Sequence, residues 1–414
     1  MQHNNDTATT LNWKKNTGLF LAGQAVSLFG SMLTQYAIMW EITLRMQSGA
    51  AMTLYAILGL LPTFLMSPLG GVWADRFNRK NLINVADGGI ALVTLAVAIV
   101  FMSGYEEVWL LFACAGIRAL GQGVHSPAIS AFIPQITPPE HLSKINGINS
   151  SIQSLAYIAS PMASAALMSF MPLAHIFFID VVTAAIGISI VCFLVKLPKE
   201  AFLHHLDVPA TRSYLHDMRN GWQYIRRRPF ILQMTILCAL FNIAIAPASF
   251  LSPLQVVRNF GDEVWRLSII EAVFSGGMMT GGLIVGFWGG FKHKTYSMGL
   301  SNLLFGTGAI VLGVVSSFPV YVVAMTLMGL VMPLFNIPWT VLAQTKIDPA
   351  YMGRVFGVFT MVGSLMAPAG MLIFGPLADV VSIDWLMAGS GAAIILLGIP
   401  YVSSKALLEA GKGG

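Results

Sequence analysis

The chain has 414 residues, of which 56% are hydrophobic and 10% charged, with a mean hydropathy of +0.73, whereas soluble globular domains carry roughly 25% charged residues. Its 25 phenylalanines exclude a disordered chain, its glycines follow no collagen-like period, and its three cysteines are too few for a disulfide scaffold. A membrane protein remains, and at about 20 apolar residues per crossing this length accommodates on the order of 12 spans.

In chain order, apolar stretches predict helices over 17–44, 50–74, 81–104, 107–134, 145–170, 173–196, 229–252, 264–290, 295–316, 319–345, 353–379 and 384–404. Residues 1–16 are polar and end in Lys14 and Lys15, with no small-residue cleavage site after the first apolar run, so an uncleaved first helix is expected rather than a signal peptide. The expected fold class is an all-α membrane protein of two six-helix halves, 1–196 and 229–414, joined by a linker over 197–228. The second part of that linker, SYLHDMRNGWQYIRRRPF, puts Leu215, Met218, Trp222 and Ile225 on one helical face with basic residues around them. Such a helix lies along lipid headgroups, and a solvated charged linker is the alternative.

The net charge of +5 comes from unevenly placed cations. Of the 23 Lys and Arg, nineteen fall in one alternate set of loops and helix edges, among them Lys14, Lys15, Arg76, Arg79, Lys80, Lys144, Lys196, Lys199, Arg212, Arg226, Arg227, Arg228, Arg354, Lys405 and Lys412. Three, Arg45, Arg258 and Arg266, fall in the other set, and Arg118 alone lies inside a span. Positive flanks stay on the cytoplasmic side, so both termini are expected there, in a cell (inner) membrane. No basic patch is interleaved with exposed aromatics, and no nucleic-acid partner is expected.

An internal repeat accompanies the six-and-six division. PEHLSKING, from Pro139 to Gly147, aligns at an offset of 210 with PAYMGRVFG, from Pro349 to Gly357, which sets Lys144 over Arg354. Two similar halves in parallel orientation are how many secondary transporters build a site at the membrane midplane.

The run GVWADRFNRK, from Gly71 to Lys80, resembles the loop signature of the major facilitator superfamily, G-x-L-A-D-R-x-G-R-K, with Trp73 in place of Leu and Asn78 in place of Gly. GQAVSLFGSMLTQYAIMW in the first span, RALGQGVHSPA in the fourth, the PPEHLSKING loop and YMGRVFG together look like the macrolide-efflux branch of its drug/proton antiporters. The resemblance implies the superfamily's fold of twelve helices and a gating role for Gly71, Asp75, Arg76, Arg79 and Lys80, in which the acid pairs with basic groups or a helix N-terminus and is released as the halves rock. The alternative is that the arginines only set topology. Asn78 tolerates positive φ better than most residues with a side chain, so the turn is expected to survive the replacement of the glycine. In the fifth span, AYIASPMASA from Ala156 to Ala165 stands where drug antiporters usually carry G-x-x-x-G-P-x-x-G-G, which weakens the antiporter resemblance; in the eighth, Gly277, Gly281, Gly282 and Gly286 suggest a packing face.

A charge at the bilayer centre costs at least about 3 kcal/mol and marks function. Glu41, Asp87, Arg118, Asp180 and Glu271 are the candidates. Arg118 falls near a midplane and shares one face with Gln122 and His125; it is either a switch partner that lowers a neighbouring acid's proton affinity or a structural arginine. Glu41 and Glu271 are the expected proton carriers, although Glu41 could instead pair with Arg45 at i+4. Asp87 and Asp180 read as packing acids, and His125 as a packing histidine or a cavity residue.

By resemblance, the cavity lining comes from helices one, four, seven and ten. It takes Gln24, Ser31, Gln35 and Tyr36 from the first, Gln122 and His125 from the fourth, Phe241 and Asn242 from the seventh, and Met332, Asn336 and Trp339 from the tenth. Aromatics, methionines and amides suit bulky amphipathic solutes, with core packing as the alternative for each. Pro247, Pro253, Pro333 and Pro338 mark bends. Cys114, Cys192 and Cys238 are too far apart for a metal site, and no metal or other cofactor is expected. The expectation is a monomeric, non-enzymatic, proton-coupled exporter of hydrophobic or amphipathic small molecules, with macrolide antibiotics as first substrate. The alternatives are an exporter of an endogenous metabolite, such as a siderophore or peptide, and a non-transporting membrane sensor.

Overall fold

The structure, a computed structural model, describes residues 3–196, 214–348 and 351–411. Lys199, Arg212, Lys412, Pro349 and the first part of the linker lie outside them. The described residues are helical nearly throughout: α1 (His3–Met46), α2 (Gly49–Arg76), α3 (Arg79–Met102), α4 (Val108–Ile136), α5 (Leu142–Met168), α6 (Leu173–Ser189), α7 (Tyr214–Arg226), α8 (Pro229–Ala244), α9 (Ser252–Phe260), α10 (Val264–Trp288), α11 (Lys294–Val314), α12 (Phe318–Lys346), α13 (Met352–Leu377), α14 (Ile383–Ser403) and α15 (Lys405–Gly411). Eleven of the twelve expected spans are long and apolar enough to cross a membrane. The twelfth, α5, has 27 residues but carries Asn146, Asn149, Gln153 and several serines, which dilute its hydropathy. Helices α5 and α13 begin at Leu142 and Met352, the offset of the sequence repeat.

Two compact units result, Met1–Glu41 with Ile57–Thr211, and Ile42–Ala56 with Arg212–Gly414. The boundary departs from the expected halves at one place, because the tip of the α1–α2 hairpin clusters with the second unit.

In the first unit, Phe20 and Phe132 meet at 4.9 Å within a core that also holds Ile83, Ile133 and Val191. In the second, small residues set the helix contacts. A Cβ on Gly277 or Gly281 would strike the α12 backbone at Gly329 and Leu330, whereas Gly282 and Gly286 face open space, so half of the expected glycine face packs. The seventh expected span is interrupted at Pro247–Leu251 by a wide π turn between α8 and α9, whereas Pro333 and Pro338 lie inside the continuous helix α12.

The linker helix departs from expectation. Among its described side chains, Tyr224 and Ile225 are buried against Ile231, Ile347, Val355 and Phe359, and Tyr224 stacks on Tyr351 at 4.5 Å. Trp222 remains exposed, so Trp222 and Ile225 face different surroundings rather than forming one lipid-facing stripe; Gly221 permits the approach, since a Cβ there would lie 2.8 Å from the Arg354 carbonyl oxygen. The side chains of Leu215 and Met218 lie outside the described residues.

Candidate functional site

The first unit holds a buried charged layer. Arg118, on α4, pairs with Asp180 of α6 and donates to Thr94 of α3, and its second guanidinium nitrogen donates to the Ser31 carbonyl of α1 at 3.2 Å. Asp180 also accepts from Ser31 Oγ and Thr94 Oγ1, each at 3.1 Å. The side chain of Asp180 is fully buried and Arg118 nearly so. Four helices therefore converge on one ion pair whose bonding capacity is well used.

This corrects the expected partnership. The carboxylate paired with Arg118 is Asp180, read from sequence as a packing acid. Glu41 lies ten residues, about 15 Å of helix rise, beyond Ser31. Glu271 belongs to the other unit. Arg266, five residues before Glu271, pairs with Glu263 at 3.0 Å. Thr94 escaped the sequence reading, since a threonine in an apolar helix carries no charge signal.

Seven residues after Arg118, His125 brings Nε2 to 3.0 Å from Asp87 Oδ1, and Ser27 Oγ donates to Asp87 Oδ2 at 3.4 Å. All three residues are buried. The Nε2 contact is close but is not aligned as a hydrogen bond, and His125 Nδ1 has no partner among the described residues. His125 is thus neither an exposed cavity residue nor a satisfied packing histidine.

The 71–80 loop is built by backbone capping. Asn78, at φ −61°, ends the turn as the N-cap of α3, its side chain accepting from the Asn81 N–H at 3.3 Å. No positive φ is needed, because an asparagine cap replaces the glycine turn. Arg79 donates to the carbonyls of Ala74 at 2.8 Å and Ala131 at 2.9 Å, and Lys80 to those of Cys192 and Val195, both at 2.8 Å. These two cations tie α2, α3, α4 and the end of α6 together at the basic end. Asp75 stands half-exposed, 3.5 Å from Arg79.

The expected lining residues divide. Gln35, Gln122 and Asn336 are exposed, Gln122 donating to Ser126 Oγ at 3.1 Å, and Tyr36, Asn242, Met332 and Trp339 are half-buried. Asn242 turns its amide back onto the Cys238 carbonyl at 2.8 Å, and Trp339 lies against Phe359 at 4.8 Å. Phe241 is a core residue, stacked on Phe335 at 5.2 Å and tilted against Phe305. Gln24 is buried beside the Ser27 turn.

The second unit carries a polar junction with no local sequence signal. Asp379, between α13 and α14, accepts from the Gly49 N–H at 2.7 Å, the Ala50 N–H at 2.9 Å, Ser48 Oγ at 2.8 Å and Arg258 at 3.0 Å. Arg258 also donates to the carbonyls of Ala378 at 2.6 Å and Gln47 at 2.7 Å. The α2 N-terminus is thereby capped by a carboxylate from a distant segment. Partial burial works against the charge of Asp379, but the donors from Ala50, Gly49, Ser48 and Arg258 outweigh it and hold the carboxyl below the usual range.

These features are those of a polytopic helical transporter with buried polar groups inside its apolar units. The chain belongs to the Major Facilitator Superfamily, whose family model matches residues 17–371. It is 32% identical over 391 residues to Macrolide efflux protein A of Streptococcus pyogenes, covering 94% of this chain and 95% of that protein. It is 22% identical over 403 residues to the Multidrug efflux pump Tap of Mycobacterium bovis, covering 94% of each. A solved POT family transporter in complex with a thioalcohol-conjugated peptide shares the fold at a TM-score of 0.73 and 12% identity, over 94% of this chain and 95% of that one.

Proposed function

We propose that this chain exports hydrophobic or amphipathic compounds, macrolide-like antibiotics among them, in exchange for protons and by alternating access. The basic ends of the helices and both termini then face the cytoplasm of a bacterial-type inner membrane, and one chain is the working unit. The observation that carries the coupling is the set of buried charged groups in the first unit, Arg118 with Asp180 and His125 against Asp87. Apolar side chains of similar volume would pack the four helices as well as the ion pair does, or better, so a charge placed there is retained for work other than stability. Export of macrolide-like compounds rests on the similarity to Macrolide efflux protein A over nearly the whole of both chains.

The test is accumulation of a radiolabelled macrolide by cells expressing the chain, with and without a protonophore. Lower accumulation that rises to the level of control cells when the gradient is collapsed supports proton-driven export. Low accumulation that survives the protonophore refutes the coupling, and accumulation equal to that of control cells refutes macrolide export.

A further inference from the structure

The first unit contains two buried acids in different states of satisfaction. Asp180 is matched by a guanidinium that cannot shed its proton, together with two hydroxyls, so the layer around Arg118 is neutral and stays neutral. Asp87 has one hydroxyl at 3.4 Å and the unaligned imidazole of His125 at 3.0 Å. From these contacts we propose that Asp87 and His125 together form a proton-binding site, reached from the basic end of the unit past Gln24 and Asn84. The inference deepens the proton-coupled export proposed above and rests on it.

Proton arithmetic distinguishes the two acids. With His125 neutral, the pair carries one buried negative charge; with one proton added it is net neutral, as an imidazolium–carboxylate pair or a protonated acid beside a neutral ring. An added proton therefore removes a buried net charge, and its release restores one. A small ring rotation would align Nε2 on Asp87, so loading a proton can also lock α4 against α3.

The route follows from orphaned polar atoms. Gln24 lies one turn from Ser27 and Asn84 one turn from Asp87, both displaced toward the basic end, and Gln24 Nε2 and Asn84 Oδ1 have no partner among the described residues. Buried polar groups left unmet are costly, which favours a partner for each. Together with His125 Nδ1 they supply donors and acceptors of the kind a bound water requires.

The charged groups on the elements around the pair leave it the least satisfied. On α4, Arg118 is engaged by Asp180 of α6. On α3, Arg79 and Lys80 bond backbone carbonyls at the helix start. On α2, Asp75 and Arg76 lie at the basic end; on α1, Lys14 and Lys15 lie toward the basic end, about three turns before Gln24, and Glu41 and Arg45 lie in the last two turns.

The test uses the full chain in proteoliposomes, with erythromycin as the macrolide probe. Asp87→Asn and His125→Gln should each keep erythromycin counterflow within about twofold of wild type and lose at least about tenfold of the accumulation driven by a pH gradient. The double variant Asp87→Asn with His125→Gln buries no charge and can keep a hydrogen bond across the pair, so it covers the case in which a single change unfolds the unit. In solubilised protein without substrate, pH-difference infrared spectra should lose an imidazole protonation signal when His125 is replaced. If the variants accumulate erythromycin with wild-type pH dependence, the proton binds elsewhere and coupled export stands. If wild-type counterflow proceeds but no pH gradient drives accumulation, coupled export falls and this site with it.

Discussion

Replacing Asp379 by Asn should loosen the α1–α2 tip from the second unit without unfolding that unit. The carboxylate divides its four bonds evenly: Oδ1 accepts from the Gly49 N–H and Arg258, and Oδ2 from the Ala50 N–H and Ser48 Oγ. Asn with its carbonyl in the Oδ1 position keeps the first two and leaves the second two without an acceptor. Hydrogen bonds to a charged group contribute about 1.5–3 kcal/mol each. Ala50 is exposed and water replaces part of each bond, so the loss is discounted to roughly 0.5–1 kcal/mol per bond, or about 1–2 kcal/mol in all, including the lost charge at the α2 N-terminus. That is a factor of about 5–30 in the docked population. The anchors away from the carboxylate survive, since Thr53 Oγ1 still donates to the Met371 carbonyl at 2.9 Å and Arg258 still donates to Ala378 and Gln47. Hydrogen exchange by mass spectrometry on a peptide spanning 46–53 reads the effect directly, because two of its amides are bonded to the carboxylate. Exchange there should rise about 5–30-fold while α11 and α14 stay protected. With a carboxyl held below its ordinary value, the docking is complete above about pH 4 and is lost as pH falls through the lowered value. Unchanged exchange in Asp379→Asn at pH 7 would refute the capping argument.

Asp75→Asn should slow turnover in proteoliposomes while membrane insertion and melting temperature stay at wild-type levels, because Arg79 is held by two carbonyls that do not depend on the acid; normal turnover defeats a gating role. Arg118→Ala strands a buried carboxylate and should cost about 3–5 kcal/mol of stability, seen as a large drop in melting temperature. Arg118→Met combined with Asp180→Leu should recover the melting temperature but not gradient-driven export, and recovery of export would make the pair purely structural. Gly281→Ala, whose methyl would meet Leu330, should destabilise the second unit by about 1–3 kcal/mol, whereas Gly282→Ala, facing open space, should be neutral in the same melt. Glu41→Gln and Glu271→Gln should both retain accumulation driven by a pH gradient, as neither acid is buried within the charged layer; loss in either variant would return the coupling to the acids expected from sequence.

The helices were legible because each span is its own signal: a run of apolar residues bounded by basic or turn residues needs no knowledge of its neighbours. Arg118 was legible for the same reason, as a charge where the bilayer makes charges expensive. Its partner was not, because pairing within a helical bundle depends on which faces of α3, α4 and α6 meet. Asp180 and Thr94 lie 62 and 24 residues from Arg118 with no local spacing to connect them. The loop at 71–80 shows the opposite case. Its residues stand out in the sequence, but the backbone expected there came from a glycine that this chain lacks, and Asn78 solves the turn by capping at negative φ. Asp379 was missed for a more general reason. An acid at the end of an apolar helix reads as an ordinary interfacial charge, and only the Gly49 and Gly375 backbones, close enough that a Cβ on either would strike the other, bring the α2 N-terminus within its reach. What sequence conceals in a membrane transporter is therefore mainly which helix faces meet, because apolar faces look alike until small residues and lone polar groups are matched in space.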